Sequence, residues 1–274
     1  MFGFFNRDCL SENGLPSLPD HSVHIFILDL PFGITQNKWD SIIPITELWK
    51  QLLRVGNTDA MYIFFAKQPF TTLIMNSQPD LFSHELIWMK EKGTCPMNAN
   101  RFPLPVHENI LVFAKGKVRY YPQKMNGDPY AKKVYASLQG TNYRGFTKEV
   151  LNCKNEGYRF PVSVLFYPRD FANCGIHPTQ KPVALLEYLL QTYSVKHDVV
   201  LDPTAGSAST LVACVNTNRN YIGYELDSAM FMLASNRLNT VLQRGQDTFT
   251  KPKVVNPNQK TLDKMWKKND LFTN

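Results

Sequence analysis

The sequence predicts an α/β fold built on a mostly parallel sheet with helices on both faces. Apolar runs of strand length alternate with segments of helical periodicity, as expected when helices connect parallel strands. Several of these runs end in an acidic residue instead of a hairpin turn. With 274 residues and 43% hydrophobic content, the chain can bury a large core as one domain, or as one domain with an insertion.

The first half of the chain contributes four predicted strands and one helix. A β-branched and aromatic run predicts a buried strand at about 23–28. The segment TELWKQLLRV has helical periodicity, so a helix is predicted at about 46–55. The other apolar runs predict strands at about 60–66, 85–89 and 109–114.

Regular alternation returns in the last third of the chain. Pro182 is well placed to begin a helix that runs to about residue 193, because proline is favoured in the first helical turn. Two further strand-helix units are then predicted, with strands at 198–202 and 221–227 and helices at 207–217 and 228–242.

The strand at 23–28 is followed at once by Asp29, Leu30, Pro31, Phe32 and Gly33. Ligands of open α/β sheets bind outside the carboxyl ends of the strands. This turn therefore lies where a ligand is expected. The competing interpretation is an ordinary strand-ending turn, since proline and glycine commonly end strands.

The segment VVLDPTAGSAST predicts a strand, an acid, a loop of small residues and a helix. Small residues let a ligand approach the backbone, and Glu225 at the tip of the next strand could accept hydrogen bonds from ribose hydroxyls. Asp202 suits a cation such as an amino-acid ammonium, and no G-x-G-x-x-G is present. These features together predict S-adenosylmethionine. A helix cap at Asp202 and a solvated strand end at Glu225 are the structural alternatives.

Charge is distributed unevenly along the chain. Residues 90–176 carry a net charge of +8, more than the +7 of the whole protein, whereas residues 1–89 carry −4. The same middle region holds thirteen Phe and Tyr residues. Basic residues interleaved with aromatic residues predict contact with a polyanion, although a solvated lysine-rich face is the alternative.

The five cysteines are scattered and never form a C-x-x-C pair, which favours a reducing compartment and argues against a structural zinc site. No segment resembles a signal peptide or a membrane span. We therefore expect a cytoplasmic protein without a bound metal.

Three segments resemble those of a known family. DLPF at 29–32 is similar to a DPPY catalytic signature, HPTQKP at 177–182 to a segment beside the cofactor, and LDPTAGSAST at 201–210 with GYELD at 223–227 to a cofactor loop and ribose acid. In this order, they resemble the amino-methylating (adenine-N6 or cytosine-N4) DNA methyltransferases of the permuted β group. The resemblance spans about residues 6–240.

The resemblance implies a Rossmann-like, S-adenosylmethionine-dependent methyltransferase sheet, circularly permuted, with an inserted DNA-recognition region. Four segments are expected, namely a catalytic half at 1–89, a basic target-recognition region at 90–176, a cofactor-binding half at 177–250 and a basic tail at 251–274. DNA is the implied substrate, in a prokaryotic cell or a virus-infected host cell. A homodimer and a cognate restriction endonuclease are the further partners considered.

Three sets of site residues are predicted. The catalytic turn consists of Asp29, Leu30, Pro31 and Phe32. Residues 7–32, which resemble the family's N-terminal lead-in, contribute to the predicted cofactor site together with the HPTQKP segment, the loop and the ribose strand. The site comprises Asp8, Cys9, His177, Thr179, Lys181, Asp202, Pro203, Thr204, Ala205, Gly206, Ser207, Glu225 and Leu226. Basic residues predicted to contact DNA are Arg101, Lys117, Arg119, Lys132, Lys133 and Arg144.

Individual roles also follow from the resemblance. Asp202 would hold the methionine ammonium, Glu225 the ribose and Asp8 the adenine amine. Thr179 and Lys181 would lie near the methionine carboxylate. His107 and Glu108 resemble a family segment HEN, for which a structural role is favoured over a catalytic one.

The implied reaction acts on a base flipped out of the duplex. Phe32 would stack on that base, while Asp29 and the carbonyl of residue 30 would accept the two amine hydrogens. A signature that begins with Asp favours adenine-N6 over cytosine-N4. The chain departs from the family pattern at Leu30, Phe32 and Ala208. An inactive DNA-binding relative therefore remains an alternative. A methyltransferase acting on protein or RNA is another, because such enzymes use similar turns.

Overall fold

The computed structural model of the chain describes residues 2–33, 41–135, 150–170 and 180–244, with only the backbone described at 132–135, 150–153 and 244. The chain divides into a main unit, residues 1–121 with 162–274, and a small unit, residues 122–161. None of the helices in the described residues is long and apolar enough to cross a membrane.

The strands of the described residues are numbered in chain order. They are β1 (Gly3–Asn6), β2 (Val23–Leu28), β3 (Gly56–Ala66), β4 (Phe82–Met89), β5 (His107–Ala114), β6 (Met125–Asn126), β7 (Tyr130–Tyr135), β8 (Val150–Asn155), β9 (Tyr158–Arg159), β10 (Val164–Phe166), β11 (Val199–Asp202) and β12 (Asn220–Glu225). The α-helices are α1 (Ile45–Val55), α2 (Phe70–Ser77), α3 (Val183–Tyr193), α4 (Ser209–Thr217) and α5 (Ser228–Arg244).

The main unit is built on one eight-stranded sheet in the order β1-β12-β11-β2-β3-β5-β4-β10. Strands β1, β12, β11, β2 and β3 are parallel to one another. Strand β5 runs antiparallel to both of its neighbours, β3 and β4, and β10 is parallel to β4. The carboxyl ends of β1, β12, β11, β2, β3 and β4 therefore lie at one edge, together with the amino end of β5.

The core lies on both faces of this sheet, which explains the uninterrupted apolar run of β2. Ile25 and Ile27 belong to one buried cluster, which also contains the apolar residues of α3 and α4. Phe26 and Leu28 point to the other face and join the cluster that includes α1. A strand covered on both faces has no exposed side on which polar residues would be favoured.

The chain leaves the sheet in two directions from adjacent strands. From β2 it passes through α1 to the neighbouring β3, and from β11 it passes through α4 to β12 on the other side. Such a change of direction leaves a crevice outside the carboxyl ends of the two strands. The crevice expected here lies at the ends of β11 and β2, beside Asp202 and Asp29.

Most predicted elements are present, with shifted boundaries. Helix α3 begins at Val183, because Pro182 is its extended N-cap rather than its first helical residue. Strand β12 ends at Glu225 rather than at residue 227, because Asp227 accepts a 2.8 Å hydrogen bond from the Met230 N–H at the start of α5. Strand β1, helix α2 and the strands β6 to β10 were not predicted.

The small unit contains two antiparallel pairs, β6 with β9 and β7 with β8. Its described surface carries aromatic rings covered by cations. The Arg159 guanidinium lies 4.9 Å from the centroid of the Tyr130 ring, and the Lys124 ammonium lies 5.1 Å from that of Phe160. This unit falls inside the predicted recognition region 90–176, whereas β5 and β10 of that region belong to the main sheet.

Candidate active site

Acidic residues gather at the carboxyl edge of the main sheet. Asp29 directly follows β2, Asp202 ends β11 and Glu225 ends β12. Strand β1 pairs with β12 so that Asn6 lies opposite Glu225, which brings the following residues, including Asp8, to the same edge. The fold thus brings together four acids that are far apart in the sequence.

Asp202 is almost completely buried. Its carboxylate accepts a 3.1 Å hydrogen bond from the backbone N–H of Thr204. Burial raises the pKa of Asp202 to about 7, and the nearby charges of Asp29 and Glu225 raise it further while the Thr210 and Thr204 hydrogen bonds oppose them. A cation placed beside this carboxyl group would therefore stabilise its ionised form.

Two residues of the loop after β11 have a left-handed backbone conformation, which favours glycine. Gly206 has φ of +52°, and the nearest atom to a Cβ placed there would be the Thr204 carbonyl oxygen at 3.9 Å. Ala208, which departs from the family pattern, also has a left-handed φ of +60°. For alanine this conformation costs roughly 1–2 kcal/mol, so the departure carries strain that glycine would avoid.

Glu225 joins the loop to the start of α5. Its two carboxylate oxygens accept 2.8 Å hydrogen bonds from the backbone N–H groups of Gly206 and Asp227. Burial raises the pKa of Glu225, and these two hydrogen bonds oppose the effect. A carboxylate has lone pairs for further donors, so Glu225 can still accept hydrogen bonds from a ligand.

The N-terminal lead-in forms a tight turn next to β12. Asp8 accepts a 2.8 Å hydrogen bond from the Leu10 N–H, and the Arg7 N–H donates to the Glu225 carbonyl oxygen at 3.0 Å. Cys9 is buried, and burial raises the pKa of its thiol to about 12. A thiol with such a pKa is a packing group rather than a nucleophile.

The turn after β2 contacts the loop after β11 directly. The hydroxyl of Thr204 donates a 3.1 Å hydrogen bond to the carbonyl oxygen of Asp29. Leu30 is buried, while Phe32 is half-buried and stacks against Phe70 with ring centroids 5.2 Å apart. The predicted catalytic turn and the predicted cofactor loop therefore form one continuous site.

Asp29 is also the end of a chain of four charges. Its carboxylate lies 2.6 Å from the ammonium of Lys181, which lies 3.5 Å from the carboxylate of Glu108. The other oxygen of Glu108 lies 2.5 Å from the ammonium of Lys90. Lys181, Glu108 and Lys90 have side chains that are at most 12% exposed, whereas Asp29 retains 28% exposure.

The charges in this chain alternate in sign, and their pKa values respond to one another. Burial raises the pKa of Asp29, with the ammonium of Lys181 opposing it. Burial also disfavours ionised Glu108, but the ammonium groups of Lys181 and Lys90 outweigh it and hold the pKa of Glu108 low. Sequence reasoning did not single out Lys90 and favoured a structural role for Glu108. The HEN segment was the available signal.

The predicted DNA contacts are only partly within the described side chains. Arg101 and Lys117 are exposed. Arg119 donates a 2.6 Å hydrogen bond to Asp198, which precedes β11 at the opposite edge of the sheet from Asp29, so a phosphate would compete with this ion pair. The backbones of Lys132 and Lys133 lie in β7, and their side chains, like Arg144, His177 and Thr179, lie outside the described residues.

Sequence comparison identifies the family. A family model described as DNA methylase (N6_N4_Mtase) matches residues 23–236. Type II methyltransferase M.HindIII of Haemophilus influenzae is 42% identical over 303 aligned residues, covering 85% of this chain and 94% of the relative. DNA adenine methyltransferase YhdJ of Escherichia coli is 27% identical, covering 90% of this chain and 85% of the relative.

Solved structures share the fold. M1.HpyAVI in complex with SAM has a TM-score of 0.57 at 21% identity, covering 87% of this chain and all of that chain. The cytosine-N4-specific PvuII DNA methyltransferase has a TM-score of 0.61 at 13% identity, with 97% and 91% coverage. These matches confirm the predicted Rossmann-like methyltransferase fold. Because the family model matches most of this chain, the chain belongs to the N6/N4 amino-methylating DNA methyltransferases, the family that its motifs predicted.

Proposed function

We propose that this DNA methyltransferase transfers a methyl group from S-adenosylmethionine to the exocyclic N6 amine of an adenine flipped out of DNA. The observation that carries the proposal is the hydrogen bond from Thr204 to the Asp29 carbonyl oxygen, at 3.1 Å. It joins the acid after β2 to the loop after β11, at the crevice where the chain changes direction. Methyl acceptor and methyl donor would meet there.

The residues of this edge fit the cofactor. A buried carboxyl group with a raised pKa, Asp202, suits the ammonium of the methionine part, and the acid Glu225 suits the ribose hydroxyls. Asp8, at the start of the lead-in, would accept a hydrogen bond from the adenine amine. Bound S-adenosylmethionine would supply a methyl group made electrophilic by its sulfonium.

Asp29 would act on the target amine. Its carboxylate and the carbonyl oxygen of Leu30 would accept the two amine hydrogens, which fixes the nitrogen lone pair toward the methyl group. Positive charge develops on that nitrogen during transfer, and the carboxylate stabilises it. Leu30 presents a carbonyl group as a proline would, so this departure from the family pattern leaves the backbone acceptor in place.

Phe32 would hold the flipped base. Stacking of a base on an aromatic ring contributes roughly 1–3 kcal/mol and does not need the hydroxyl of tyrosine. The Phe32 ring is already supported from one side by Phe70, so little ordering of the ring would be required when the base arrives. Phe32 would therefore provide the stacking partner and Asp29 the polar anchor for the base.

Recognition of DNA would involve the basic middle region. In the small unit, the pairs Arg159–Tyr130 and Lys124–Phe160 combine positive charge with aromatic faces. Phosphate contacts provide affinity without reading sequence, whereas side chains on the base edges specify the target. A homodimer and a cognate restriction endonuclease belong to the same proposal as further partners.

Asp as the first residue of the signature supports adenine, as does the likeness to a relative named as a DNA adenine methyltransferase. The fold likeness to a cytosine-N4-specific enzyme supports cytosine as the second candidate.

The test is transfer of labelled methyl groups from S-adenosylmethionine to DNA, followed by digestion to nucleosides and mass spectrometry. The proposal predicts N6-methyladenine. N4-methylcytosine would favour the second candidate, and cofactor binding without any methylated base would indicate an inactive relative.

A further inference from the structure

We infer that Lys181, Glu108 and Lys90 are positioning residues that hold Asp29 as an ionised, correctly oriented acceptor at the methyl-transfer site. The inference rests on the proposed role of Asp29 and extends it to three residues that would act through the carboxylate. It also gives Glu108 a role beyond the structural one that its sequence pattern favours.

The topology explains why these four charges meet. Asp29 follows β2 and Lys90 follows β4, and both strands end at the same edge of the sheet. Strand β5 runs antiparallel to its neighbours, so Glu108 near its amino end lies at that edge too. Lys181 lies just before α3. Four separate segments thus contribute one charge each to a single site.

One buried ammonium group is shared by two carboxylates. Lys181 is buried and contacts two carboxylates, with Asp29 at 2.6 Å and Glu108 at 3.5 Å. An isolated ammonium ion in this place would be costly, and two carboxylates without it would repel each other. Lys90 balances the second carboxylate, so the four side chains together carry no net charge.

Aromatic rings enclose the two lysines of this group of four charges and limit where their ammonium groups can lie. The Lys181 ammonium lies 5.2 Å from the centroid of the Phe65 ring, and the Lys90 ammonium lies 4.6 Å from that of Trp88. These rings exclude water and attract the cations. The lysines are enclosed, so Asp29 is the most exposed of the four charged side chains and the one that can contact a substrate.

The arrangement tunes the charge of Asp29 in two opposite directions. Lys181 and Lys90 favour the carboxylate, whereas Glu108, and Asp202 from the neighbouring strand, disfavour it. Glu108 also attracts the Lys181 ammonium, which otherwise would bind Asp29 alone. Burial raises the pKa of Asp29, so the two ammonium groups are what favour its ionised form as an acceptor for the target amine.

The test is a pH titration of the Asp29 carboxyl group. It is monitored by NMR of protein with ¹³C-labelled aspartate carboxyl groups, and the Asp29 signal is assigned as the one that is missing in the variant Asp29→Asn. Lys181→Met should raise the titration midpoint by about 1 pH unit or more, because an opposite charge is lost. Lys90→Met should raise it by less, since that cation is further away. Glu108→Gln should lower it, because Lys181 would then be attracted to Asp29 alone.

The matched control is Glu91→Gln. This carboxylate follows Lys90 in the sequence and is paired with Arg169 at 3.0 Å, but it takes no part in the chain of charges. The midpoint of Asp29 should be unchanged. Circular dichroism would confirm that each variant is folded. If Lys181→Met does not fold, the lowered midpoint in Glu108→Gln and the raised one in Lys90→Met still test the inference.

The pH dependence of the methylation rate gives an independent test, because the rate should fall at low pH as Asp29 becomes protonated. This fall should move to higher pH in Lys181→Met and to lower pH in Glu108→Gln, whereas loss of a purely structural contact would reduce the rate equally at every pH. Identical Asp29 midpoints in wild type and all three variants would overturn the inference. Shifted midpoints in the variants, together with a wild-type protein that methylates no DNA, would contradict the proposed function and leave only the control of the Asp29 charge by these three residues.

Discussion

Lys181 and Asp29 are 152 residues apart in the sequence, and the Lys181 ammonium donates a 2.6 Å hydrogen bond to the Asp29 carboxylate. The contact joins the segment before α3 to the turn after β2. In the sequence, HPTQKP and DLPF were two separate motifs with separate expected partners. The fold instead makes them neighbours, so the charge on the predicted catalytic acid depends on a residue expected to bind the cofactor. Whether Lys181 also reaches the methionine carboxylate stays a prediction.

The buried carboxyl group of Asp202 should make the stability of the cofactor-free protein depend on pH. Its pKa is raised to about 7, above the usual value of 3.8. The folded state therefore keeps a proton that the unfolded chain loses between these values, and the stability from this group falls as pH rises from about 4 to about 7. Relative to wild type, Asp202→Asn should become more stable across this window, by up to about 4 kcal/mol.

Urea denaturation at a series of pH values measures this difference. The exposed residue Asp80 provides the control, and Asp80→Asn should show no such pH-dependent gain. A constant difference between Asp202→Asn and wild type from pH 4 to pH 8 would mean that Asp202 titrates normally in the folded protein.

Cofactor affinity should depend on the two acids at the ends of β11 and β12. We expect Asp202→Ala and Glu225→Ala each to weaken binding of S-adenosylmethionine by roughly 1–3 kcal/mol, the cost of removing hydrogen bonds to a charged group. Isothermal titration calorimetry without DNA measures it, with Asp80→Ala as the control. Unchanged affinity in both variants would remove the cofactor assignment from this edge.

The strain at Ala208 should be visible against an ordinary buried alanine. Ala208 and Ala213 are both fully buried, but only Ala208 has a left-handed φ, of +60°, whereas Ala213 lies inside α4. Replacement by glycine removes one buried methyl group at either position. Only at Ala208 does it also relieve strain of roughly 1–2 kcal/mol. Glycine inside α4 also costs about 1 kcal/mol of helix propensity, so Ala208→Gly should retain more stability than Ala213→Gly by roughly 2–3 kcal/mol in urea denaturation. A difference of about 1 kcal/mol or less would refute the strain.

The sequence predicted the elements whose physical signals are local. Strand β2 is apolar on both faces and is ended by an acid and a proline, so its bounds agree with the prediction residue for residue. Strand β1 has only four residues and is defined by its pairing with β12, more than 200 residues away, so no local period marks it. Likewise, Lys90 became part of the site only because β4 and β5 are antiparallel neighbours.

Binding of DNA should depend on salt through the small unit. Log affinity should fall linearly with log salt concentration as phosphate counterions are released, and Lys132→Gln with Lys133→Gln should flatten the slope by about 1–2. The control pair is Lys50→Gln with Lys196→Gln, both exposed in the main unit and outside the predicted recognition region. Fluorescence anisotropy at several salt concentrations measures the slope. A wild-type slope in the Lys132 and Lys133 double variant would exclude this pair from phosphate contact.

The central claim is that Asp29 orients the target amine, and the rate of methyl transfer in Asp29→Ala tests it most directly. Asp29 follows a strand at the sheet edge, and Lys181 keeps Glu108 as a partner, so the variant should fold and bind both DNA and S-adenosylmethionine with affinities close to those of wild type. Asp80→Ala serves as the control, with a rate equal to that of wild type. Transfer of labelled methyl groups to DNA by Asp29→Ala should fall at least ~100-fold, the scale of losing one preorganised electrostatic contact. A wild-type rate in Asp29→Ala would contradict the catalytic assignment.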